Sequence, residues 1–92
     1  MLRAKVWKHG GDTVVAKAFV LVTTSVGQTK GVLNELKKLE GVKSVDVVLG
    51  PYDIIAIVEG DSIDSLGKLI TEHLHKVNGI ERTLTCQTIS VT

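Results

Sequence analysis

The chain is poor in most of the features that mark a specialised class. It has one cysteine, so no intrachain disulfide can reinforce it. It has one phenylalanine, one tyrosine and one tryptophan against 43% hydrophobic residues, so the core must be built from Val, Ile, Leu and Ala. Net charge is only +1, with Lys and Arg spread along the chain, which gives no strong electrostatic footprint for nucleic acid. The local basic group Arg3, Lys5 and Lys8 reads as a solvated strand face. No apolar run reaches the roughly 20 residues of a membrane span. The N-terminus lacks the apolar centre of a secretory signal, so a cytoplasmic location is expected.

Ninety-two residues make one small domain, and a chain of this size buries a modest share of its surface. With no disulfide available, association with further copies of itself is the most economical source of additional buried area. An oligomer is expected.

What the chain does have is an internal echo. Val32, Leu33, Leu36 and Leu39 follow helical spacing, Gly41 closes the run, and Val42-Lys43-Ser44-Val45-Asp46-Val47-Val48 begins at once as a strand. Ile63, Leu66, Leu69, Ile70, Leu74 and Val77 repeat the pattern, closed by Gly79 and followed by the strand from Ile80. Each helix is preceded by a β-rich run, Val14–Thr24 and Tyr52–Glu59. The spacing of Ser25 and Gln28 predicts a capping box at the first helix, and Asp61 or Ser62 should cap the second, with Asp64 in its first turn. Gly50-Pro51 forces a turn between strands at Val42–Leu49 and Tyr52–Glu59.

The order is βαββαβ. It predicts an α+β, ferredoxin-like domain: a four-stranded antiparallel sheet with two helices on one face. Residues 1–15 are expected to form an N-terminal extension, a short strand or a hairpin turning at Gly10-Gly11-Asp12, and residues 16–92 the domain itself. In the last strand, Ile80–Val91, Leu84 and Cys86 are expected to meet the helices, which would bury Cys86 and leave its thiol inert. Thr83, Thr85, Gln87, Ile89 and Val91 would then share a face of mixed polar and apolar residues suited to pressing on another subunit's sheet.

Few residues offer chemistry. His73 and His75, two apart on a helix, diverge by about 200° and cannot share a metal. His9 has no partner at ligand spacing, and Asp46, Asp53, Glu59 and Asp61 are separated by turns or by the sheet. No metal or cofactor site and no catalytic group follow, and no enzyme activity is expected. The exception is the turn Gly50-Pro51-Tyr52-Asp53. It needs no function as a turn, yet its backbone amides could receive a carboxylate and Asp53 an ammonium group, the two ends of a zwitterion.

Gly41-Val42, the turn Gly50-Pro51-Tyr52-Asp53-Ile54, and Gly79-Ile80-Glu81-Arg82-Thr83-Leu84-Thr85 together resemble the effector domain of the leucine-responsive regulatory protein/AsnC family, the RAM domain (regulation of amino acid metabolism). The resemblance runs from about Ala18 to Val91, and the turn and the strand-four motif are specific mainly as a pair. It implies sheet-to-sheet homodimers that assemble into rings of eight or ten chains, with amino-acid effectors bound between dimers. By matching position the ligand-binding residues would be Gly50, Tyr52, Asp53, Thr83 and Thr85. Family members usually carry a DNA-binding helix-turn-helix. The seventeen residues ahead of Ala18 are too few for one, so a stand-alone effector module is expected, with no direct nucleic-acid contact and with DNA-binding relatives as further partners. Two other readings share the topology: a small dimeric α/β-barrel enzyme, whose interior would need a base such as His73 or Asp46, and an ACT-like amino-acid-binding domain, for which Gly27 could serve in the first strand-to-helix loop.

Overall fold

The computed structural model describes residues 16–89, so the extension expected at 1–15, His9 and the far end of strand four lie outside the described residues. Strands β1 (Ala16–Thr24), β2 (Val42–Val47), β3 (Ile54–Gly60) and β4 (Ile80–Gln87) alternate with helices α1 (Thr29–Lys37) and α2 (Ile63–Lys68) in the expected βαββαβ order. The sheet is antiparallel throughout, in the order β2-β3-β1-β4. The first strand is therefore interior, with β3 on one side and β4 on the other.

The β1 sequence explains its position. Ala16, Ala18, Val20 and Val22 alternate onto the helix-covered face and are buried, while Lys17, Phe19, Leu21 and Thr23 lie between them on the other face. Ile54, Ala56 and Val58 of β3 fill the same layer. The alanines let the helices approach, and Val32 and Leu36 of α1 close over the layer at i, i+4 spacing. Leu66, Leu69, Ile70 and Leu74 do the same from the second helical run. Full burial of a side chain such as Leu36 contributes about 1.5–3 kcal/mol, and these aliphatic residues are the main stabilising layer.

Several local expectations change. The Ser25–Gln28 capping box does not form. Gly27 takes a left-handed φ of 77°, which a first-turn helical residue does not adopt, so the segment is a turn closed by Gln28 N–H donating to Ser25 O at 2.9 Å. The helix begins at Thr29 with no side-chain cap. The second helix is capped as expected, Ser62 Oγ accepting from Ser65 N–H at 3.0 Å with Asp64 in the first turn. It is less regular than its periodicity suggests: after Lys68 the backbone widens to a π turn over Leu69–His73 and tightens to a 3-10 turn over Leu74–Lys76. Both helical runs stop ahead of a glycine at φ 98°, Gly41 and Gly79, so the echo in the sequence is real in the backbone.

The facing of β4 is opposite to the expectation. Leu21 pairs with Leu84 and Phe19 with Cys86, whereas Val20 pairs with Thr85 and Val22 with Thr83. Directly paired residues project to one side of a sheet. Leu84 and Cys86 therefore lie on the uncovered face and are exposed, and Thr83, Thr85 and Gln87 turn to the helix side. The reason is the sheet order: β4 is an edge strand beyond the centre of the helix layer, where polar residues are tolerated. The uncovered face of the neighbouring strands is itself apolar toward the middle of the sheet. Phe19, Leu21, Ile55, Ile57, Leu84 and Cys86 form a contiguous apolar patch there by register, bordered by Lys17, Glu59, Ser44 and Asp46.

Candidate functional site

Three connections converge at one end of the sheet: the β2–β3 hairpin, the turn after β1 and the entry to β4. Val22 pairs with Ile54 on one side and Thr83 on the other, which sets Gly50, Tyr52 and Asp53 across the end of β1 from Thr83. Thr85 lies two residues deeper, opposite Val20, so four of the five residues sit at the edge and one stands further in.

Asp53 is the best-connected residue of the group. Its N–H donates to Val22 O at 2.9 Å and its carbonyl accepts from Val48 N–H at 2.9 Å, which joins the hairpin to β1. Its carboxylate Oδ2 accepts from Thr24 N–H at 2.8 Å and from Thr24 Oγ1 at 3.2 Å. Thr24 Oγ1 lies 2.8 Å from Thr29 Oγ1 in the first turn of α1. Thr83 is likewise engaged, its hydroxyl 3.0 Å from His75 Nε2. Ser25 N–H donates to Gly79 O at 2.8 Å, tying the turn after β1 to the start of β4. Tyr52 is half-buried, while Gly50 and Pro51 are exposed.

Thr24 and Thr29 were not singled out from the sequence, and His75 was weighed there only as a metal ligand. A signal existed in the polar ending Thr23-Thr24 of an otherwise apolar strand, but nothing in the spacing linked Thr24 to Asp53, 29 residues away.

Two fully exposed aliphatic side chains, Val26 and Leu49, flank the same end, one in the turn after β1 and one in the hairpin. The opposite end of the sheet carries an open cleft of about 580 Å³ whose walls include Gly41, Glu59, Asp61, Lys68, Glu72 and His73. None of the five sequence-named residues lines it. Among the described residues no group of three His, Cys, Asp or Glu is placed to hold a metal ion. Asp46 faces the uncovered side of the sheet beside Ile55, and His73 belongs to the helix layer, so the two do not share a cavity in this chain.

A family model described as the Lrp/AsnC ligand binding domain matches residues 17–91. The chain belongs to the Lrp/AsnC ligand-binding domain family. An uncharacterized HTH-type transcriptional regulator of Pyrococcus furiosus is 34% identical over 71 residues, which cover 74% of this chain and 47% of that protein. The chain thus spans about half the length of the curated relative it matches. Among solved structures, FFRP-DM1 is similar over 82% of this chain and all of its own, with 36% identity and a TM-score of 0.78. A hypothetical protein of Pyrococcus horikoshii is similar over 84% of this chain and 93% of its own, with 35% identity and the same TM-score, 0.78. Membership bears out the resemblance read from the hairpin and strand-four motifs. The curated relative it matches is described as a transcriptional regulator. Among the described residues no helix is long and apolar enough to cross a membrane.

Proposed function

We propose that this Lrp/AsnC-family domain is an amino-acid-sensing effector and oligomerisation module that acts in the cytoplasm and modulates transcriptional regulation of amino acid metabolism. The observation that carries the reading is the end of the sheet where the Gly50–Asp53 hairpin, the close of β1 and Thr83 meet, flanked by exposed Val26 and Leu49. Backbone amides and a carboxylate side by side suit the two charges of a free amino acid. Exposed aliphatic residues beside them suit a neighbouring subunit that completes the pocket. Gly50, Tyr52, Asp53, Thr83 and Thr85 are the residues proposed to line it.

The apolar patch around Phe19, Ile57 and Leu84 is the surface through which two copies pair, sheet against sheet. Dimers then join through the hairpin end into rings, and the effector lies between dimers. Ligand shifts the assembly only through unequal affinity for its forms. The output passes to DNA-binding relatives by mixed association.

Calorimetry across the common L-amino acids, with light scattering in their presence and absence, tests the reading. Heat with at least one of them and a ligand-dependent mass are expected. No heat with any, and a mass that never changes, removes it.

A further inference from the structure

The pair Thr24–Asp53 is built in a way the ligand-binding reading does not require. A carboxylate oxygen only accepts, so the hydrogen of Thr24 Oγ1 must be the one directed to Asp53 Oδ2. The close Thr29 hydroxyl is then the donor to Thr24 Oγ1. The order is thereby fixed: Thr29 hydroxyl to Thr24 hydroxyl to Asp53 Oδ2, with Thr24 N–H as a second donor to the same oxygen. Oδ2 is doubly occupied. The other oxygen, Oδ1, accepts no hydrogen bond from the described residues.

We propose that Thr24 is a positioning residue for effector binding: with Thr29 behind it, it holds Asp53 by one oxygen so that the other, Oδ1, is presented to the ammonium group of an amino acid. This rests on the reading of the hairpin end as the effector site. A free carboxylate rotates about its terminal bond over a broad range, and one anchored at Oδ2 by two donors does not. The anchor lies on β1 and the first turn of α1, two elements held in the core by Val20, Val22 and Val32, so the carboxylate takes its orientation from the rigid part of the domain. The same linkage joins the hairpin to the first turn of α1.

The test compares wild type with Thr24→Val, which keeps the side-chain shape and the N–H but removes the hydroxyl, and with Thr24→Ser, which restores it. Each is titrated calorimetrically with the amino acid that gives the largest heat with wild type, and with the matching 2-hydroxy acid, which keeps the carboxylate and lacks the ammonium. Thr24→Val is expected to bind the amino acid about tenfold more weakly, the scale of one hydrogen bond to a charged group. Thr24→Ser should regain most of that loss, and the 2-hydroxy acid should bind wild type and Thr24→Val alike. Thr24→Val combined with Asp53→Asn should bind no more weakly than Asp53→Asn alone, since one residue acts through the other. Unchanged affinity in Thr24→Val, equal weakening of both ligands, or losses that add would each overturn the inference while leaving the effector site standing. A wild type that binds no amino acid removes the site reading and this inference with it. Thr29→Val, which leaves β1 intact, is the second variant if Thr24→Val does not fold, and a few-fold weakening confined to the amino acid is expected from it.

Discussion

The direction in which Leu84 points can be turned into a measurement. Leu84 is 47% exposed in the single chain, on the uncovered face beside Leu21. Full burial of a leucine contributes about 1.5–3 kcal/mol, so covering the remaining half is worth roughly 1 kcal/mol per copy and 2 kcal/mol for a symmetric pair. Leu84→Ala should then weaken the proposed sheet-to-sheet dimer by about 1–2 kcal/mol, or roughly 5- to 30-fold in Kd. Leu84→Asp should do far more, because a carboxylate sealed between apolar sheets without a partner costs several kcal/mol per copy. That variant is expected to be monomeric at micromolar concentration with an unchanged far-ultraviolet circular dichroism spectrum, since no helix side chain loses a contact. Sedimentation equilibrium over a wide concentration range reads the mass. Labelling of Cys86, exposed on the same face of the single chain, offers an independent check: on the proposed pairing it should be slow in wild type and fast in Leu84→Asp. Gln87→Asp, on the helix side at the sheet edge, is the control and should leave the dimer intact. If Leu84→Asp keeps the wild-type mass at high dilution, the pairing surface lies elsewhere.

Three further outcomes test the fold, each by urea denaturation at one fixed protein concentration because self-association feeds into apparent stability. Gly79→Ala should lose about 2–4 kcal/mol: φ is 98° and the new Cβ would lie 2.9 Å from both Gln28 Cβ and Val32 Cγ2. A loss under about 1 kcal/mol would show that the entry to β4 is looser than its contacts suggest. Leu36→Ala, at a fully buried site between α1 and the sheet, should cost about 2–5 kcal/mol. Ser62→Ala removes the cap on Ser65 N–H and should cost about 1 kcal/mol, with no change in assembly mass.

The topology was legible because two helix-glycine-strand units announce it, and both glycines do take the left-handed turn that stops the helix. What misled was the alternation in β4. Leu84 and Cys86 against Thr83, Thr85 and Gln87 looks like a core face and an outer face, and the apolar set is ordinarily the one that meets the helices. Here both faces of the sheet are apolar toward the middle, so alternation fixed which residues go together but not which way they point. Only the register with β1 decides that, and register is a long-range property. The first helix start was misplaced because Ser25 and Gln28 have the spacing of a cap, while Gly27 between them prefers a turn. The irregular turns at Leu69–His73 and Leu74–Lys76 left the hydrophobic spacing intact and so left no trace in the sequence. At the candidate site, the motif located Asp53. Its partner Thr24 could not be found without the strand pairing that brings β1 and β3 together.

The sheet order also has a consequence in time. β4 is the last described element to leave the ribosome, yet its seat is against β1, the first. A nascent chain that has reached Gly79 can assemble three strands and both helices while the outer rim of β1 stays open, with Val22 and Thr24 lacking one neighbour. The Thr83 and Thr85 side of the proposed site arrives only when residues 80–87 dock, so on that proposal recognition of an effector, and any pairing through Leu84, has to wait for that closing step.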